Sequence, residues 1–343
     1  MTKVLVVATS RKTRGGITSV VKAHETGEQW KHFHCKWIET HRDGNTVRKL
    51  WYLATSFIEY CCLLPFYDVV HIHVGLQTSV KRKILFAKFA KMAHKKIIVH
   101  FHPATEKHLF DKKYSLKIQK LLNYSDKLLV LSPKWIKWIN QAYPDNNYQM
   151  QVLYNPCPHV LRKPEHENYI LYAGILSDRK GYNRLIEAFS YIAPQYPDWR
   201  IKLAGNGEIE KGKELAHKFN VKNQIDFLGW VSGTQKDEVF QKASIYCLPS
   251  WGEGFPMGIL DALAYGVPVI TTPVGGLECV FHNGIDAMIY DTYDLKMLAD
   301  CLAKLIDSKD YRSSMVEEAD KLVNRDFNIK MICKKLGDIY ESM

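Results

Sequence analysis

Apolar positions in this chain gather in short, β-branched runs bounded by turn residues, at 3–8, 69–74, 97–101, 128–131 and 151–154. Longer stretches with helical spacing lie between them. This alternation predicts a parallel sheet with crossover helices. The rhythm restarts after Asn155-Pro-Cys-Pro and the polar stretch Arg162 to Asn168, with runs at 169–173, 200–204, 225–228, 245–248, 268–271 and 287–290. The proline-punctuated stretch around 156–166 reads as a linker. The 343 residues also exceed what one core usually serves. The expectation is an α/β protein of two Rossmann-like domains in tandem, residues 1–158 and 159–326, followed by a last helix within 327–343. No repeats or low-complexity tracts occur.

Composition narrows the class. Apolar content of 46% marks a globular chain. The net charge of +11 is unevenly divided: residues 1–155 hold 25 Lys/Arg against 10 Asp/Glu, and residues 156–343 hold 22 against 26. The excess positive charge belongs to the first half and calls for an anionic partner. Eight cysteines show no Cys-x-x-Cys spacing and sit mostly in apolar runs, which fits buried thiols in a reducing compartment. Met-Thr-Lys runs straight into Val4-Leu-Val-Val-Ala8, a first buried strand rather than a signal peptide. No apolar stretch reaches the roughly 20 residues that span a bilayer. A cytoplasmic protein peripheral to a membrane is expected.

The densest chemistry lies in 250–270, Ser-Trp-Gly-Glu-Gly-Phe-Pro-Met-Gly-Ile-Leu-Asp-Ala-Leu-Ala-Tyr-Gly-Val-Pro-Val-Ile. Glu253 stands in a Gly/Pro turn, Asp261 follows in an apolar helical run, and Gly266-Val-Pro leads into an extended segment. A helix opening near Met257 or Gly258 aims unpaired N–H groups and the positive end of its dipole at an anion, with phosphate the natural guest. Near the N-terminus, Ser10-Arg-Lys-Thr-Arg-Gly-Gly-Ile-Thr-Ser19 forms a basic loop before a helix, able to present Arg14, Gly15 and Gly16 to a phosphate or to form a plain tight turn. It is not Gly-x-Gly-x-x-Gly, and no acid about 20 residues on closes a clear second strand, so the dinucleotide fingerprint is absent.

The 250–270 segment resembles the nucleotide-sugar signature of the retaining family 4 glycosyltransferases of GT-B architecture, departing from it at Asp261, where relatives carry Glu. The resemblance implies two Rossmann-like domains with parallel sheets facing a central cleft, and a last helix crossing back to the first domain. By the same resemblance Glu253 lies by the donor sugar, Asp261 holds the ribose, and Gly254, Phe255, Pro256, Met257 and Gly258 line the donor. The run Tyr169-Ile-Leu-Tyr-Ala-Gly-Ile-Leu-Ser-Asp-Arg-Lys-Gly181 is similar to a family segment whose Arg and Lys neutralise the leaving diphosphate. Lys180 falls on the Lys position, but Ile175 stands where the Arg belongs. Arg179, or a basic residue of the first domain, is the substitute. Gly16 and His102 are implied to meet the donor from the first domain. Asn206 and Trp230 lie in segments similar to those that hold the base and phosphates, and Glu278 stands in Gly275-Gly-Leu-Glu-Cys-Val280, which resembles the family's Gly-Gly-x-Pro-Glu with the proline missing and the acid one place early.

His71 and His73, and His100 and His102, each share one face of a strand. No third-ligand signature accompanies them, and the resemblance implies no metal and no cofactor, so buried structural histidines are the commoner reading. The acid-free stretch from Ser79 to Lys96 places Ile84, Leu85, Phe89 and Met92 along one side of a helix and lysines on the other. It suits electrostatic docking on anionic lipid and also a crossover helix packed on the sheet. No nucleic-acid recognition signature is present.

The expected function is retaining transfer of a sugar from a nucleotide-diphosphate sugar, UDP-sugar foremost, to a lipid-linked or other glycan acceptor at the cytoplasmic membrane face, in bacterial surface polysaccharide assembly. One alternative is another reaction on the same scaffold, such as an epimerase or phosphorylase. The other is a weakly active GT-B-like subunit that supports a partner transferase, for which Ile175 and Asp261 argue.

Overall fold

The computed structural model describes every residue except Met1, Leu76, Gln77 and Pro164. It divides into two compact units, Met1–Pro156 together with Asp326–Met343, and Cys157–Arg325. The first unit contains strands β1 (Val4–Ala8), β2 (Lys36–Glu39), β3 (Val69–Val74), β4 (Lys96–Phe101), β5 (Lys127–Val130) and β6 (Met150–Val152). Its helices are α1 (Gly16–Glu25), α2 (Glu28–His32), α3 (Thr46–Leu63), α4 (Thr78–Met92), α5 (Lys107–Phe110), α6 (Lys112–Leu122) and α7 (Pro133–Ala142). The strand order is β2-β1-β3-β4-β5-β6, all parallel. β1 and β3 are buried along their whole length, which is why both read as unbroken apolar or near-apolar runs.

Strand β2 corrects the sequence reading. Lys-Trp-Ile-Glu is four residues long, too short for an alternation to stand out, yet it pairs with β1 and ends in Glu39. An acid therefore does close a second strand. Its role is taken: Glu39 Oε1 lies 3.0 Å from a guanidinium nitrogen of Arg11, which also reaches Glu25 and covers the Trp37 ring at 4.3 Å. Burial works against the Glu39 charge, but hydrogen bonds from Ser10 and Arg11 prevail and hold its carboxyl below the usual range.

The second unit contains β7 (Glu167–Ala173), β8 (Arg200–Ala204), β9 (Ile225–Gly229), β10 (Ala243–Leu248), β11 (Val269–Thr271) and β12 (Met288–Ile289). Helices α8 (Tyr182–Ser190), α9 (Ile209–Lys218), α10 (Thr234–Gln241), α11 (Met257–Ala264), α12 (Leu295–Asp307) and α13 (Lys309–Leu322) accompany them. The order β12-β11-β10-β7-β8-β9 is again parallel throughout. The sequence order reverses between β7 and β10, and loops leaving such a switch point form the usual ligand crevice of an open α/β sheet. Each unit is thus a Rossmann-like domain built on a six-stranded parallel sheet.

The last helix, α14 (Ile329–Glu341), belongs to the first unit. Ile332, Leu336, Ile339 and Tyr340 join one buried cluster with Val4, Val6, Phe33, Trp37, Val69 and Ile98. The Tyr340 hydroxyl lies 2.7 Å from Nδ1 of His71.

Two further expectations change. The stripe Ile84, Leu85, Phe89, Met92 is not the buried face of α4. Val80, Lys83, Phe86, Ala87 and Ala90 are, and Met92 is exposed. Lys83 is buried because its ammonium donates to Thr40 Oγ1 at 2.6 Å; burial, helped by the Arg82 charge, pushes its pKa well down. All eight cysteines are free, but only Cys157, Cys247, Cys301 and Cys333 are buried, and Cys62 and Cys279 are exposed. Among the described residues no helix is long and apolar enough to cross a membrane.

Candidate functional site

In the second unit the loops after β7 and β10 meet. The chain leaving β7 makes a single 3₁₀ turn, Asp178–Lys180, and then Gly181 in the left-handed region at φ 76°. A Cβ on Gly181 would fall 1.9 Å from the carbonyl oxygen of Pro249. Only glycine allows this approach. The backbones are then tied: Trp251 N–H donates to the Arg179 carbonyl at 2.7 Å, and Ser250 Oγ donates to the Lys180 carbonyl at 3.4 Å.

That contact carries Lys180 to Glu253. Glu253 is 7% exposed, and its Oε1 lies 2.5 Å from Lys180 Nζ, 2.9 Å from Ser250 Oγ and 3.6 Å from an Arg179 nitrogen. Arg179 also donates to the Gly252 carbonyl. A carboxylate out of water needs such partners, because its desolvation is otherwise prohibitive. Gly275 and Gly276, at φ 67° and 85°, press from the other side; a Cβ on Gly275 would meet the Glu253 carbonyl at 2.2 Å. Thr272 Oγ1 donates to the Ser250 carbonyl at 2.6 Å. Two basic groups, one acid and a glycine turn thus converge at the switch point.

Helix α11 starts at Met257 with Pro256 as its N-cap and no side-chain capping bond. Its first N–H groups and positive dipole end remain for a ligand oxygen. Gly254 and Phe255 precede it, both buried, the Phe255 ring stacked with Phe281 at 6.2 Å, and Gly258 falls in its first turn. Asp261, one turn inside, bonds Lys236 Nζ on α10 at 2.7 Å. Burial raises the Asp261 pKa, and Lys236 opposes the rise. Asp261 is therefore held toward α10 by a partner that the spacing did not suggest.

The remaining candidates disperse. Ile175 is 53% exposed, its carbonyl accepting from the Tyr172 hydroxyl at 2.8 Å. Asn206 follows β8 and is exposed, Trp230 follows β9 and is 42% exposed, and Glu278 is half-buried in the turn Val274–Cys279. Ser250 and Tyr172 went unnoticed in the sequence. Ser250 stands three residues before the acid, a spacing that lets a hydroxyl reach it; Tyr172 carried no signal.

In the first unit, Gly15 is the N-cap of α1 and Gly16 its first residue, again with no side-chain cap. The Arg14 N–H donates to Asp43 at 3.5 Å. His102 follows β4, its Nε2 lying 3.0 Å from Nδ1 of His73. The register pairs His73 with His100, so the two histidine pairs form one stack, which His24 of α1 joins. Burial pushes His24 down to about 4 and His102 to about 3, and holds His71, His73 and His100 well below 6.5. Ligand nitrogens of His71, His73 and His100 lie within 4.8 Å of one another, the one such group among the described residues with the makings of a metal site.

Residues 158–322 match the family model described as glycosyl transferases group 1. A D-inositol 3-phosphate glycosyltransferase of Corynebacterium urealyticum is 24% identical over 306 residues, covering 81% of this chain and 72% of its own. The chain spans about half the length of several other curated relatives, among them 47% of an uncharacterized glycosyltransferase of Haemophilus influenzae, 26% identical. The solved structure of Anabaena HepE in complex with UDP-glucose superposes with a TM-score of 0.79 at 15% identity, covering 100% of both chains. The match to the glycosyl transferases group 1 model thus covers almost the whole of the second unit, and the solved structure shares the GT-B fold of the chain.

Proposed function

We propose that this protein is a retaining glycosyltransferase that takes a nucleotide-diphosphate sugar, UDP-sugar foremost, and passes the sugar to a lipid-linked or other glycan acceptor. The observation that carries the reading is the buried Glu253 held by Lys180 and Arg179 beside the uncapped start of α11. Diphosphate leaves as the glycosidic bond breaks, and the negative charge that grows on it needs fixed positive groups. Lys180 and Arg179 supply that charge with the α11 N–H groups, and no metal is needed for the transfer. Glu253 orients the donor sugar, and Asp261, paired with Lys236, serves the ribose. The UDP-glucose complex of the Anabaena protein supports the choice of donor.

The first unit takes the acceptor, and its basic character suits an anionic, membrane-borne one. Bacterial surface polysaccharide assembly at the cytoplasmic membrane face is the setting we infer. A thermal-shift screen against UDP, GDP, ADP and CMP, followed by nucleotide release from the matching sugars, tests the whole. Stabilisation by one nucleoside diphosphate, with turnover, supports it, since a ligand bound only by the folded state raises apparent stability. Binding without turnover from any donor favours the supporting-subunit reading, for which the exposed Ile175 argues.

A further inference from the structure

Helix α3 is apolar on two faces. Between Leu50 and Phe66 the sequence carries one charge, Glu59. One face packs inward: Ser56 and Tyr60 are buried, Phe57 meets Phe86 and Phe89 edge-on at 5.3 and 4.9 Å, and the Tyr60 hydroxyl donates to the Phe86 carbonyl at 2.9 Å. The other faces solvent. Val47, Leu50, Trp51 and Ile58, with Phe66 just beyond, are between 62% and 77% exposed. Steps of three, four and seven put them on one stripe of a helix about 27 Å long. A helix apolar all round belongs inside a protein or in lipid, and contiguous exposed apolar surface marks an interaction site.

Charge decides between occupants. Arg48 and Lys49 stand at the start of the stripe. At its end Lys95 Nζ donates to the Pro65 carbonyl at 3.2 Å, and Lys36 pairs with Glu59 at 3.3 Å, neutralising the one acid. An apolar stripe with cations at both ends and Trp51 and Phe66 along it matches a helix lying in the headgroup plane of an anionic bilayer. We propose that α3 is the membrane-docking element of this protein, inserting Val47, Leu50, Trp51, Ile58 and Phe66 among the acyl chains while Arg48 and Lys49 contact anionic headgroups. This rests on the reading of a membrane-borne acceptor and moves the lipid contact from α4 to α3. Electrostatics brings the first unit to the surface, and the stripe keeps it there.

The test is co-sedimentation of the full chain with vesicles of phosphatidylcholine alone and of phosphatidylcholine with phosphatidylglycerol, at low and high salt. The expected result is binding to the anionic vesicles with a part that survives high salt, and a blue shift of tryptophan emission. The double variant Trp51→Ser, Ile58→Ser lowers partitioning at least about tenfold and abolishes the shift, whereas Lys88→Glu with Lys91→Glu on α4 removes only the salt-sensitive part. Circular dichroism confirms the fold, which solvent-facing changes leave intact. Wild-type binding by the double variant overturns the assignment to α3 and leaves the membrane reading standing. No binding of the wild-type chain to either vesicle overturns both. A dimer in light scattering that Trp51→Ser disperses, without vesicle binding, assigns the stripe to a second copy of the chain and also overturns the proposal. Nucleotide release on a soluble acceptor, measured in parallel, reports the transferase reading independently of lipid.

Discussion

Lys180 and Glu253 come from loops 73 positions apart and meet with their charged atoms 2.5 Å from each other, both shielded from solvent. On the proposed function, an anionic ligand arriving beside the pair would offer Lys180 a second partner and leave Glu253 to turn to a sugar hydroxyl. Replacing either side chain removes one half of that exchange. Glu253→Gln and Lys180→Met should each lower transfer by about 10²- to 10³-fold, read as nucleotide release from the donor sugar. A near-normal rate in folded Glu253→Gln removes this residue from the site.

Ile175, the position at which the family resemblance implies an arginine, has its side chain open to solvent. An arginine fits there without displacing the core. Ile175→Arg should hold or raise affinity for the nucleoside diphosphate, by up to about tenfold, the worth of a good charge-assisted hydrogen bond. Isothermal titration with UDP measures it; a large loss of affinity shows that the pocket needs the isoleucine.

Gly181 bears the contact between the loops that carry Lys180 and Glu253. Gly181→Ala places a Cβ against the Pro249 carbonyl and strains a φ of 76°. The cost should be about 2–4 kcal/mol in urea unfolding, with transfer falling as Lys180 and Glu253 separate. Stability within about 0.5 kcal/mol of wild type refutes the contact.

The histidine stack makes the first unit acid-labile. Its rings are neutral when folded, with His24 at about 4 and His102 at about 3, but in the unfolded chain each titrates near 6.5. Below that pH the unfolded state binds more protons, so stability is complete above about 6.5 and lost as pH falls toward 4. Each ring removes about 1.4 kcal/mol per pH unit in that window. Hydrogen exchange from pH 7 to 4 should show β3 and β4 opening before β7 and β10. Equal protection of the two sheets at pH 4.5 refutes it.

Both sheets were legible because central strands such as β1 and β10 are nearly continuous apolar runs, as strands buried on both faces of a parallel sheet are. Strand β2 escaped because four residues cannot display a period. The site was legible where it is local in sequence, in Glu253 and its glycines, since the turn and helix start dictate residue type. It was hidden where distant segments meet: Ser250 on Glu253, Lys236 on Asp261, and the two histidine pairs that the β3–β4 register merges. The lysine-rich α4 misled for a related reason. Charge density marks a solvated helix, but which apolar residues face water depends on the partner across the interface, and Phe57 of α3 took the place beside Phe86 and Phe89.

Helix α14 completes the core of a unit whose first strand begins at Val4. On the ribosome, then, the segment Cys157–Arg325 has all its residues before the earlier-made sheet can close. Until Ile332, Leu336 and Tyr340 emerge, the growing chain carries an uncovered apolar floor beneath β1 and β3. The last-made helix of this protein thus completes its first-made sheet, and a chain stopped short of Ile329 would keep that floor open however well its second half had folded.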